Sequence, residues 1–311
     1  MTPRSGGRPA RNAETVPVYG MVALMAQTNG HLAMLFPGQG SQTADMRDAV
    51  ERHRPDLLEL ARTEVSDDLF ERAADGTRWA QPAIFCAALA GYEVLKERCE
   101  ADLMAGHSLG EITALVAAEA IDASDGLRLV AARGRLMQEA EGGGMLAVRV
   151  REREPVEQVA ADTGLTIAND NAPDQLVLSG AVDALDRAEE LLRERKVRAK
   201  RLPVGGAFHS PLMEPAVAPF RELVEQIEFR APRVPVLSCV TAQPFGDDVQ
   251  DRLVEALTSP VRWTGVLGTL RELGATHYVE TGPGRVLTNL VRKSLDGVEA
   301  EAPLAMEAAN A

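Results

Sequence analysis

From position 31 onward the apolar residues fall into short runs whose spacing alternates between that of strands and that of helices. The run His31 to Phe36 predicts a first strand, ended by the glycine-bearing turn Pro37-Gly38-Gln39-Gly40-Ser41-Gln42. Charged helical stretches follow, then an apolar helix over Gln81 to Arg98 and a brief buried strand, Leu103 to Ala105, running directly into Gly106. Helices are expected over Leu109 to Ala120 and over Ser124 to Ala140, the second with Ser124 as N-cap and Asp125 near its positive end.

After Gly142-Gly143-Gly144 the rhythm changes. Strand Met145 to Val150, helix Glu152 to Asp162, strands Leu165 to Ala168 and Gln175 to Ser179, helix Ala184 to Arg195 and strand Val197 to Val204 give the βαββαβ order of a ferredoxin-like unit. Helix Phe220 to Phe229, strand Val234 to Val240, helices Val249 to Leu257 and Gly265 to Leu273, and strand His277 to Glu280 then return to alternating strand and helix. The expected fold is therefore α/β, a large domain (31–143 and 206–295) with a largely parallel sheet, interrupted by a small ferredoxin-like domain (144–205). Residues 1–30, a Pro, Gly and Arg mixture, are read as a flexible extension or an over-called start, and 296–311 as a flexible tail.

With 45% hydrophobic residues in 311, the chain can bury a large core. A net charge of −13 argues against general affinity for nucleic acid or an anionic membrane surface, both of which the mean field repels. No apolar run reaches the roughly 18 residues of a membrane span. Arg4, Arg8 and Arg11 before Val16 to Ala26 imitate a secretory leader weakly, with Glu14 and Pro17 against it. Three cysteines, Cys86, Cys99 and Cys239, lack paired or metal-ligand spacing, which favours a reducing cytoplasmic setting and no metal site.

The chemistry concentrates at Gly106-His107-Ser108-Leu109-Gly110, a Gly-X-Ser-X-Gly pattern between a strand and a helix. Such a turn strains the serine backbone, needs glycine at both flanks, and exposes the hydroxyl over the positive end of the following helix. The Leu109 amide then faces an oxyanion formed during acyl transfer. A serine hydroxyl needs a base. Among five histidines, His53 lies in a charge cluster, while His31 and His277 open strands. His107 sits inside the turn and is assigned to packing or substrate contact. His209, where the inserted unit rejoins the large domain, is the candidate base, with a backbone carbonyl from the loop before Pro260 expected on its far nitrogen. Arg133 lies in the mostly apolar stretch Val130 to Met137 and is expected to point inward while Arg135 is solvated; there it needs an anion, a substrate carboxylate or an internal Asp or Glu.

Five ordered segments, Phe36 to Gln42, Gly106 to Glu111, Arg133 to Gln138, Ala207 to Met213 and Glu280 to Gly284, closely resemble the malonyl-CoA:acyl carrier protein transacylase family over about Leu32 to Lys293. The resemblance implies a hydrolase-like large domain and a ping-pong reaction through an acyl-serine, with malonyl-CoA as substrate, an acyl carrier protein as partner and no permanently bound cofactor. It also implies Ser108 as nucleophile, His209 as base, Arg133 as carboxylate clamp, the Gln39 and Leu109 amides as oxyanion hole, and Asn171 and Gln175 near the active site. Phe208 resembles the malonyl-selecting form, since a ring there leaves little room for an α-methyl branch. Many relatives have glutamine near Ala256-Leu257, whose main-chain carbonyl holds the histidine; alanine keeps that carbonyl. Candidate carrier-docking residues are Arg149 and Arg151, or Lys196, Arg198, Lys200 and Arg201, against the plain alternative of a solvated face. The competing readings are a carrier-protein acyl hydrolase of the same fold, the malonyltransferase subunit of a malonate decarboxylase, and an idle docking subunit.

Overall fold

The computed structural model describes residues 30–66, 68–140 and 142–304. The expected extension over 1–30 and the end of the tail lie almost wholly outside the described residues. In chain order the elements are β1 (His31–Phe36), α1 (Met46–His53), α2 (Pro55–Glu64), α3 (Thr77–Lys96), β2 (Leu103–Gly106), α4 (Gly110–Ala117), α5 (Ala123–Glu139), β3 (Gly143–Arg149), α6 (Glu154–Thr163), β4 (Thr166–Ala172) and β5 (Gln175–Ala181). Then come α7 (Val182–Glu194), β6 (Ala199–Arg201), α8 (Glu214–Val224), β7 (Val236–Leu237), α9 (Val249–Glu255), α10 (Trp263–Glu272), β8 (Ala275–Glu280), α11 (Val286–Ser294) and β9 (Glu299–Glu301).

Among the described residues, one sheet has the order β7-β2-β1-β8-β9 with every pairing parallel. Both its faces are covered, as parallel sheets require. Successive β1 residues alternate between two cores: Met34 and Phe36 join the side of α3 and α5, while Ala33 and Leu35 join Trp263, Leu267 and Leu290 on the other. The second sheet, β4-β5-β3-β6, is antiparallel, and its strand order is that of a ferredoxin-like unit. Leu146, Val148, Leu176 and Leu178 pack there against Val156, Leu185 and Leu192. The expected α/β architecture, a parallel-sheet large unit with an inserted βαββαβ small unit, is the observed one.

Several local expectations shift. Helix α5 starts at Ala123, with its cap two residues early at Asp122 rather than Ser124; the Asp122 side chain makes no capping bond and pairs instead with Arg230. Helix α8 occupies 214–224 rather than 220–229, because Ala216, Phe220 and Val224, one turn apart, bury together while Phe229 is only partly covered. Strand β7 keeps two of its seven expected residues: it pairs on one side with β2, and beyond Leu237 the chain folds back through Ser238 N–H to Gln243 O. The tail expectation over 296–311 is corrected in part, since Glu299–Glu301 extend the parallel sheet beside β8. Helix α11, unread in the sequence, buries Leu287, Leu290 and Val291 just before it.

Candidate active site

Registers Phe36↔Gly106 and Leu35↔Glu280 align the carboxyl ends of β1, β2 and β8, so the loops that follow them meet at one edge of the sheet. His107 N–H extends the ladder by donating to Phe36 O at 3.0 Å. The chain then turns sharply enough that Ser108 takes φ +54°, a left-handed conformation costing about 1–3 kcal/mol for a residue with a side chain. Two glycines permit the turn. A Cβ on Gly106 would lie 1.9 Å from the Gly110 carbonyl group, and one on Gly110 would lie 2.1 Å from Phe36 O. Helix α4 begins directly behind, with Leu109 at its N-cap, so that its unpaired amides and positive end face the same side as the serine.

Ser108 Oγ lies 2.8 Å from His209 Nε2 and accepts a bond from Arg133 Nη2 at 3.2 Å. His209 itself adopts φ +57° in the loop before α8 and is 4% exposed. Its Nδ1 lies 2.8 Å from Ala256 O and 3.2 Å from Ser259 O. Two carbonyls can only accept, so Nδ1 carries the proton and Nε2 presents its lone pair to the serine. No carboxylate contacts this imidazole among the described residues. Burial, then the positive charge of Arg133 and the neighbouring His107, push its pKa from 6.5 down to about 3, so the ring is neutral near pH 7.

Arg133, on α5, is 3% exposed and donates from Nη1 to Gln81 Oε1 at 2.7 Å. Among the described residues no carboxylate is ion-paired with it. Burial lowers the guanidinium from 12.5 to about 10, while Glu111 favours its charge electrostatically. Glu111 is 2% exposed, accepts the Cys239 N–H at 2.5 Å, and is raised to about 7 by the same loss of water. The site thus holds a buried cation whose donors are only partly used, beside an activated hydroxyl. That arrangement suits a substrate carrying an anion a few bonds from an electrophilic carbon.

A cavity of about 210 Å³ joins these groups. Ser108, His209, Arg133, His107, Phe208, Asn171, Gln175, Gln39 and Leu109 all line it, so every site residue singled out in the sequence is brought to one place. His107 faces Asn171, Nε2 to Oδ1 2.8 Å, and its ring lies 5.4 Å from that of Trp263; burial lowers its pKa. Phe208 is 7% exposed and forms part of the wall. The other histidines are engaged elsewhere or lie outside it: His31 beside Asp102, His277 beside Glu299, and His53 exposed on α1.

Sequence reasoning missed Gln81, Asn169 and the α11 side chains Val286, Leu287 and Leu290, which also line the cavity. A glutamine inside the otherwise apolar, buried stretch Trp79 to Gly91 of α3 was a readable signal, since a buried amide there needs a partner. Among the described residues no group of three His, Cys, Asp or Glu side chains is arranged to hold a metal ion, and no helix is long and apolar enough to cross a membrane.

Residues 33–307 match the family model described as acyl transferase domain. The chain is 38% identical over 305 residues to the polyketide biosynthesis protein ThaF of Burkholderia thailandensis, covering 94% of this chain and 26% of that protein, so it spans about a quarter of that relative's length. It is 37% identical over 284 residues to a Bacillus subtilis protein named malonyl CoA-acyl carrier protein transacylase, covering 84% of this chain and 90% of the other. A crystal structure of malonyl-CoA:acyl carrier protein transacylase from Xanthomonas oryzae aligns with a TM-score of 0.83 at 35% identity, covering 91% of this chain and 98% of that one.

Proposed function

The chain belongs to the malonyl-CoA:acyl carrier protein transacylase family, and on that premise we propose that it moves a malonyl group from malonyl-CoA to the phosphopantetheine thiol of an acyl carrier protein through an ester on Ser108. In the first step His209 Nε2 takes the Ser108 proton as Oγ attacks the thioester carbon. The Leu109 and Gln39 amides hold the resulting oxyanion, and the coenzyme A sulfur leaves with the proton from His209. In the second step the carrier thiol gives its proton to the same nitrogen, attacks the ester carbon, and Ser108 leaves reprotonated.

The carbonyls of Ala256 and Ser259 serve in place of an acidic third residue, fixing the ring and favouring the imidazolium that forms transiently. Arg133 receives the malonyl carboxylate. After burial, its charge is the next cause that depresses His209, so a malonyl carboxylate on Arg133, by cancelling that charge, strengthens the base. Thioester and ester are exchanged at similar free energy, so the site favours transfer by keeping water from the acyl-serine rather than by driving the reaction. The division into a large domain (31–143, 206–295) and a small domain (144–205), and a cytoplasmic setting, belong to the same proposal.

The observation that carries this reading is the position of Ser108 Oγ, within 2.8 Å of a neutral histidine and 3.2 Å of a buried arginine. Incubation with malonyl-labelled coenzyme A thioester tests it. Stable label on Ser108 that a carrier thiol removes is the expected result. Release of free malonate at the same rate indicates a hydrolase, and absence of label overturns the assignment of Ser108.

A further inference from the structure

Strand β4 carries three consecutive polar residues, Asn169, Asp170 and Asn171, and the alternation of a strand sends them to opposite sides. Asn169 and Asn171 are 6% and 8% exposed and line the Ser108 cavity. Asp170 faces away. Its carboxylate accepts two bonds from Arg153, at 3.0 and 3.1 Å, and one from the Thr264 hydroxyl at 2.9 Å, in the first turn of α10. Its backbone N–H donates to Val261 O at 2.9 Å, and Val261 N–H donates to Ala168 O at 2.8 Å, so the strand of the small unit pairs in parallel with a loop of the large one. Two residues before Val261 stands Ser259, whose carbonyl lies on His209 Nδ1.

We propose that Asp170 is a positioning residue for the base: by tying β4 to α10 and to Val261 it sets where the Ser259 carbonyl lies, and so the direction in which His209 Nε2 faces Ser108. This inference rests on the reading of His209 as the base. A carboxylate suits the position for a chemical reason. Three donors converge on it, two from a guanidinium and one from a hydroxyl, and its two oxygens can serve all of them, in addition to its place near the positive end of α10. An amide offers one acceptor oxygen and turns its own N–H groups toward Arg153. Because Asp170 points away from the cavity, the effect of replacing it belongs in the rate of acyl transfer and not in substrate affinity.

The test compares Asp170→Asn and Thr264→Val with Asp186→Ala, which removes an exposed ion pair to Arg201 (2.6 Å) within the same small unit, away from His209. Two quantities are read: the proton resonance of His209 Nδ1–H in substrate-free protein, and the rate and KM of Ser108 acylation. Asp170→Asn is expected to move the resonance and slow acylation about tenfold, with KM within about twofold of wild type, as a small misplacement of a reacting group does. Thr264→Val, which loses a single hydroxyl and keeps the fold if Asp170→Asn does not, shifts both in the same direction by less. Asp186→Ala moves neither. A resonance unchanged in Asp170→Asn, a rate loss no greater than that of Asp186→Ala, or a raised KM at unchanged rate each overturns the inference. The resonance needs no turnover, so failure of the wild type to load acyl groups would defeat the proposed function and leave this comparison readable.

Discussion

Replacing Arg133 with alanine removes the buried cation from beside Ser108, and the structure sets the scale of what is lost. The guanidinium is 3% exposed, bonded to Gln81 and Ser108, and ion-paired with no carboxylate among the described residues. A malonyl carboxylate bound there would be almost fully removed from water. Truncating one partner of such a charge pair costs about 2–5 kcal/mol, and at about 1.4 kcal/mol per decade this is a loss of roughly 30-fold to several thousandfold in kcat/KM. An acetyl group has no carboxylate to place and should lose little or gain, because the variant has no buried cation left unpaired beside an uncharged acyl group. The assay is single-turnover acylation of Ser108 with malonyl-CoA and acetyl-CoA in competition, for the wild type, Arg133→Ala and Arg133→Lys. The lysine variant keeps the charge without the planar fork and should fall between the other two. A proportional loss with both substrates would refute the reasoning. It would mean that Arg133 acts on Ser108 itself, through the 3.2 Å bond, rather than on the acyl group.

The turn and the base make further commitments. Gly110→Ala places a methyl carbon 2.1 Å from Phe36 O, so β1 or α4 must shift at a cost of about 1–3 kcal/mol, and thermal unfolding should show a midpoint several degrees below wild type together with loss of acylation; an unchanged midpoint would show the turn to be loose. For the pH dependence, His209 is held from 6.5 down to about 3, so protonation disables the base only in strong acid. The kcat/KM for acylation, which reports the free enzyme, should therefore be level from about pH 5 to 7, and an acid limb centred near 6.5 would contradict the burial of that ring.

The nucleophile turn, the inward arginine and the candidate base were legible because each is written in a short local pattern. Glycines at 106 and 110 are demanded within a few residues of Ser108, and Arg133, three residues after Val130 and four before Met137, falls on the helix face that those residues bury. The βαββαβ order was legible for the same reason, since periods of two and near four residues are local properties of the chain. Boundaries were less so: β7 shrank to Val236–Leu237 and α8 moved toward its amino end, because partners far away in sequence decide which residues are covered.

What only the tertiary structure decided is what lies between elements. A backbone carbonyl just before Pro260 was expected on His209, but no local signal marks the left-handed conformation of that residue, the use of two carbonyls, Ala256 and Ser259, on its Nδ1, the bridge from β4 to Val261, or the addition of Glu299–Glu301 to the sheet edge. Backbone groups are chemically alike at every position, so composition cannot say which carbonyl will meet an imidazole 47 residues away. The amino-acid sequence by itself pointed to the side chains proposed to carry the chemistry; packing of the turn after β2, helix α5 and the loop before α8 determined their distances, and with them the burial that holds His209 neutral and lowers the Arg133 guanidinium.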